Sequence, residues 1–194
     1  MGEQFLFDYF GIPVAFWIVL YISDYYLTLW GARLYVTGGN KHLAFDGSHE
    51  LNPAFEQDIN YLRRVSLRFV MALFVYTFIM LVVRGLARDL PFLFSMFAGA
   101  LILIEVCVHV RHVRNIVALW HMRQDIGVAG RLEYQRWYTL RTSAIDVLVF
   151  AIFFTGVALI GGGWFFAGGA LACLGVSFRH WRASRRLLKT TQKG

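Results

Sequence analysis

Four ionisable side chains fall inside long apolar runs of this sequence: Asp24, Arg68, Glu105 and Asp146. A charge in hydrocarbon costs about 3 kcal/mol or more, so such residues mark ion paths, proton relays or reacting groups. Glu105, His109 and His112 follow at i, i+4 and i+7, one face of a helix. His49 and Glu50 precede Asn52-Pro53, where the chain can fold back toward that face. Carboxylates and imidazoles converging in a low dielectric form the donor set of a divalent metal site or a proton relay. The expected ligands are Asp24, Glu50, Glu105, His109, His112 and Asp146, with Arg68, His49 and Asn52 in support. Zinc, magnesium, manganese and calcium are all compatible with this set. Three carboxylates against one arginine leave negative charge over, which a cation, a proton or a further donor must balance. The alternative is a structural network in which Arg68 pairs with Asp24, Asp146 or Glu105, and His109 and His112 sit among headgroups beside Arg111 and Arg114. His42, His121 and His180 show no partner in the sequence and read as surface residues.

The elements that must position these groups are helices in a bilayer. The chain has 194 residues, 58% of them hydrophobic, with its charges clustered between long uncharged runs. That is too apolar for a soluble domain of this length. A spanning helix takes about 20 apolar residues. Five runs qualify, at 9–30, 65–83, 91–110, 142–160 and 164–178. Gly161-Gly162-Gly163 separates the last two and predicts a tight helical hairpin; one interrupted helix, with four spans in all, is the alternative. The fold class is thus an all-α integral membrane protein, a five-helix bundle over residues 1–178 followed by a basic tail, 179–194. The opening MGEQFLFDYFG has Glu3 and Asp8 but no Lys or Arg, so the first apolar run is read as a retained span rather than a cleaved signal.

Positive charge sets the orientation. Arg33, Lys41, Arg63 and Arg64 fall in the first loop, 31–64, and Arg111, Arg114, Arg123, Arg131, Arg136 and Arg141 in the third. The tail adds Arg179, Arg182, Arg185 and Arg186, whereas the opposite side has only Arg84 and Arg88. The positive-inside bias therefore puts the N-terminus outside and the C-terminus inside, in a multi-pass protein of the cell (inner) membrane. This placement explains the formal charge of +7 without nucleic acid. Arg182, Arg185 and Arg186, interleaved with Trp181 and Leu187, are expected to meet anionic inner-leaflet lipids. Gly168, Ala172 and Gly175 share a face of the fifth span and allow close packing within the chain or in a homo-oligomer.

Asp24, Glu105, Asp146 and Arg68 all lie about 14 or 15 residues from the outer ends of their runs, roughly 21–23 Å below the outer surface. They form one layer in the inner third of a core about 30 Å thick. In the first loop, Leu34–Thr37 and Lys41–Phe45 flank Gly38-Gly39-Asn40 and predict a short cytoplasmic β-hairpin. Asn52-Pro53 predicts a helix start, with Phe55, Ile59 and Leu62 as its apolar stripe. Val113, Ile116, Val117 and Trp120 predict that the third helix continues past the membrane until Gly127 and Gly130.

Asp24 followed by Leu27-Thr28-Leu29, then Glu50-Leu51-Asn52-Pro53, resembles a family of small prokaryotic membrane proteins. Those carry an Asp in the first span and an E-x-N-P motif before the second. The resemblance covers about the first third of the chain. It implies that Asp24 works with Glu50 and Asn52, and it supplies no reaction. No GxSxG, HExxH, P-loop or dinucleotide fingerprint is present. Three functions are therefore weighed: divalent metal or proton handling as a channel, transporter or sensor; an intramembrane metal-dependent hydrolase acting on a lipid or lipid-linked substrate; and a structural or assembly subunit.

Overall fold

The structure, a computed structural model, describes residues 2–45, 55–127 and 129–191. His49, Glu50, Asn52 and the helix start at Asn52-Pro53 lie outside the described residues. A short α1 (Gly2–Asp8) leads into α2 (Gly11–Val36). β1 (Leu43–Phe45) and a single-turn α3 (Glu56–Asn60) follow. Buried Asp58 accepts from Arg63 Nη1 at 3.0 Å and from the Ser66 hydroxyl. Ser66 in turn caps α4 (Leu67–Leu86), its Oγ accepting the Phe69 N–H at 3.3 Å. α5 (Pro91–Arg123) opens with proline in its first turn, where no amide is needed. Its 33 residues reach about 50 Å at 1.5 Å each. That exceeds the thickness of a hydrocarbon core, about 30 Å. β2 (Leu132–Tyr134), α6 (Arg136–Val157) and α7 (Gly163–Thr191) complete the chain.

α6 and α7 form an antiparallel hairpin. The chain reverses near Gly161 and Gly163, whose φ angles of 117° and 69° suit glycine alone. Three hydrogen bonds stitch the two helices along their length. Ser184 Oγ donates to the Trp137 carbonyl, Ser177 Oγ donates to the Ala144 carbonyl, and Ser143 Oγ meets His180 Nδ1, each at 2.8 Å. Each satisfies a polar group that would otherwise be buried bare.

α5 is the central post. α2, with α4 beside it, packs on one flank, and the α6–α7 hairpin packs on the other. α5 and α7 cross in backbone contact. A Cβ on Gly99 would stand 1.8 Å from the Phe165 carbonyl oxygen, and one on Gly168 would stand 1.8 Å from that of Met96. Small residues at such a crossing let dispersion contacts accumulate between the backbones. Leu103, Cys107, Val147, Phe154 and Cys173 fill the hairpin side of the core. Trp17, Met80, Ala98 and Ile102 fill the other side. Cys107 and Cys173 are buried free thiols with their sulfurs 3.7 Å apart.

Four helical stretches are long and apolar enough to cross a membrane: Gly11–Val36, Leu67–Leu86, Pro91–Arg123 and Arg136–Thr190. The last is the α6–α7 hairpin taken as one. Large apolar side chains stay exposed on the outer faces, among them Phe74 and Phe78 of α4 and Ile152 and Phe153 of α6. A bundle whose solvent is lipid has no reason to hide them.

Several expectations change. Among the described residues the first loop holds no β-hairpin: Leu34–Val36 ends α2, Gly39–Lys41 is a turn of 3-10 helix, and β1 pairs in parallel with β2. Its register, Leu43 with Leu132 and Phe45 with Tyr134, joins the first and third loops. The local glycine turn was outcompeted by a partner far along the chain. α3 stops at Asn60, and Leu62, at φ 50°, lies beyond it. Phe55, Ile59 and Leu62 nevertheless pack together against Tyr25, Leu29 and Phe69. The basic stretch from Arg179 is helical through Thr191, continuing α7 unbroken past Phe178. His180 and Ser184 anchor that extension on α6, which sequence reading could not see from one strand of charge.

Candidate cation site

The α2–α5 interface brings the predicted groups together. Asp24, Glu105 and His109 each offer a ligand atom, and these atoms lie within 4.8 Å of one another. They come from two helices, as the helical face Glu105–His109–His112 requires. Among the described residues this is the one group of its kind. Asp24 Oδ1 and Glu105 Oε2 are buried and accept no hydrogen bond of sound geometry from the described residues. Two carboxylates this close in a buried setting repel each other and are poorly solvated.

The surrounding donors fix the proton positions. His109 Nδ1 lies 2.7 Å from the Glu105 carbonyl oxygen, which can only accept. The neutral ring therefore carries its proton on Nδ1 and turns a lone pair out at Nε2. That is how metal-binding histidines are commonly oriented, with a backbone carbonyl holding the distal nitrogen. Ser23 Oγ sits 2.7 Å from this Nε2.

His112 plays a different part. Thr28 Oγ1 donates to the Asp24 carbonyl at 3.0 Å, so it accepts from His112 Nε2 at 3.1 Å. The same Nε2 lies 3.0 Å from Asp24 Oδ1. A protonated Nε2 offers the metal no lone pair. His112 thus steadies the Asp24 carboxylate rather than joining the group of three.

Asp146 is not brought to the group. It receives Arg114 Nη2 at 2.9 Å and stands 3.8 Å from Arg111 Nε. Arg68 is exposed in the first turn of α4, at the start of the Leu67–Leu86 stretch, and is not part of the group. The cause is one of boundaries: α4 begins at Leu67 and α6 at Arg136, so equal depth counted from apolar runs did not mean a shared point. Glu50, His49 and Asn52 lie outside the described residues. Arg182, Arg185 and Arg186 are exposed on α7.

Two histidines read as surface residues are engaged elsewhere. His180 is buried against Ser143. His42 lies 2.6 Å from Asp125 Oδ1 through Nε2 and 3.0 Å from the Gly130 carbonyl through Nδ1. Sequence reading also passed over Ser23 and Thr28. Their signal was spacing, since they stand at i−1 and i+4 of Asp24.

A cavity of about 1020 Å³ opens beside the group. Asp24 and Glu105 border it toward α2, while Arg111, Arg114, Asp146 and Arg179 border it toward α6 and α7. No family model, curated protein or solved structure matches the chain. What the fold and site define is a helical bundle, apolar enough to cross a membrane, with a carboxylate–histidine group between two of its helices.

Proposed function

We propose that the chain is a five-span inner-membrane protein, N-terminus outside and C-terminus inside, that binds a cation between α2 and α5. The observation that carries this reading is the convergence of Asp24, Glu105 and His109 within 4.8 Å, with the buried Glu105 Oε2 accepting no hydrogen bond from the described residues. The five-span count is supported by the α6–α7 hairpin, which returns the basic end of α7 to the side of the other basic loops. Two carboxylates and one imidazole suit zinc or manganese better than calcium, which takes six to eight oxygens. Three protein ligands also leave a coordination position open. Handling of that ion, as channel, transporter or sensor, is the function this geometry supports best, and a proton held between Asp24 and Glu105 is its metal-free form.

A second reading is a metal-dependent hydrolase of a lipid or lipid-linked substrate. It is favoured by the cavity, which places room for a substrate directly against the group. An open position on a bound metal would supply activated water there.

The test is elemental analysis of protein purified in detergent without chelators, wild type beside Asp24→Asn and Glu105→Gln. One equivalent of metal in wild type, lost in both folded variants, is the expected result. No metal in wild type after loading with zinc or manganese would leave the proton form or a structural subunit. Flux into liposomes would then separate transport from hydrolysis.

A further inference from the structure

The cavity is two-faced, and its second face is unused by the cation site. The stripe of α5 that floors it is apolar at Leu101, Ile104 and Val108, with Glu105 among them, polar from Arg111 to Asn115, and apolar again at Ala118, Leu119 and Met122. The apolar end is walled by Trp17, Tyr21, Phe69 and Tyr76. The polar end gathers Arg111, Arg114 and Arg179 with the hydroxyls of Thr139 and Thr142. Asp146 is the acid that contacts these arginines, meeting Arg114 and Arg111. Arg179 is exposed on α7 and forms no ion pair among the described residues.

The aromatic and guanidinium regions, taken together, have the polarity of a lipid of the inner leaflet. Under the proposed orientation, Trp17 and Tyr76 lie deeper in the hydrocarbon, Phe69 nearer the cytoplasmic side, and the guanidinium end at headgroup level. α4 rests on α2 and α5 with no comparable contact to α6, so the α2–α4 pair and the hairpin leave a gap along α5. A chain-bearing molecule can enter through that gap from the bilayer. Guanidinium groups hold phosphate oxygens in paired hydrogen bonds.

The geometry points to a binding site for an anionic phospholipid, its phosphate on Arg111, Arg114 and Arg179 and an acyl chain along Trp17, Tyr21, Phe69 and Tyr76. The site uses the proposed orientation and shares the cavity with Asp24 and Glu105, but it needs no cation there. Arg179 also borders Arg182 and Arg186 on α7, but those two and Arg185 do not line this cavity.

The test is native mass spectrometry of detergent-purified protein titrated with phosphatidylglycerol, diacylglycerol or inorganic phosphate. Wild type is expected to retain one phosphatidylglycerol and to prefer it over diacylglycerol. Losing two charge-assisted contacts in Arg111→Gln/Arg179→Gln should weaken it at least about tenfold. The single Arg179→Gln change, at an exposed position that leaves packing alone, should give a smaller loss in the same direction. Arg182→Gln/Arg185→Gln/Arg186→Gln and Asp24→Asn should both leave the retained lipid in place, the latter even where it abolishes metal binding. Equal retention by wild type and both cavity variants would overturn the assignment. So would diacylglycerol binding as well as phosphatidylglycerol, or inorganic phosphate displacing the lipid fully at equal concentration.

Discussion

His109 of α5 and Ser23 of α2 meet across the helix interface with 2.7 Å between Nε2 and Oγ. The contact occupies the lone pair that a cation would use. Ser23 also lies 2.9 Å from the Leu20 carbonyl, so its hydroxyl proton has a second acceptor when a cation arrives. Ser23→Ala is therefore expected to keep full metal content, while His109→Ala lowers it. The lost hydrogen bond should cost about 1 kcal/mol of stability. Elemental analysis and thermal unfolding in detergent read the two effects separately.

Asp146 is balanced by Arg114 and Arg111 rather than by a shared ion. Asp146→Asn should leave metal content unchanged, in contrast to Asp24→Asn. A loss of metal equal in the two variants would mean that Asp146 reaches the group after all.

The α5–α7 crossing has no spare room. Gly168→Ala or Gly99→Ala would drive a methyl group into a carbonyl oxygen now 1.8 Å from the Cβ position. The helices must separate, at a cost of about 1–3 kcal/mol or more. Gly175→Ala, with open space at its Cβ, should be nearly neutral. Melting temperatures of the three variants in one detergent decide it.

His42 donates from both ring nitrogens, because a carboxylate and a carbonyl can only accept. Both contacts are donated together only by the protonated ring. The Asp125 hydrogen bond, then that of Gly130, raises its pKa, and the same His42 contact lowers that of Asp125. The raised His42 pKa makes its contribution complete below the unfolded value near 6.5 and loses it as pH rises through the folded value. The lowered Asp125 pKa makes its contribution present above about 3.9 and loses it as pH falls through the folded value. The clasp should be firmest between roughly pH 4 and 6.5. Trypsin cleavage at Arg131, expressed as the ratio of wild type to His42→Gln, should start low near pH 6. It should approach one as pH rises past the folded pKa.

The apolar runs and the Gly161-Gly162-Gly163 bend were legible because composition and glycine act locally. The Glu105–His109 face was legible because helical spacing alone puts those residues on one side. Asp146 shows the limit: depth along a helix can be counted, but rotation about its axis depends on what the helix packs against. Arg111 and Arg114, spaced i, i+3, turn to α6, and Asp146 turns to them. His42 and His180 were illegible because their partners lie 83 and 37 residues further along or back in the chain. The β1–β2 ladder was illegible because nothing near Leu43 names Leu132.

That ladder also sets a schedule for biogenesis. Leu43 leaves the ribosome 89 positions ahead of Leu132, the residue it pairs with. At synthesis rates of about 5–20 residues per second, β1 waits roughly 4–18 s with its edge unpaired. α2 is already made when that interval opens and α4 and α5 are made during it, while the α6–α7 hairpin that walls the far side of the cavity is translated only afterwards. An insertion factor or chaperone that shields residues 43–45 would act in this interval.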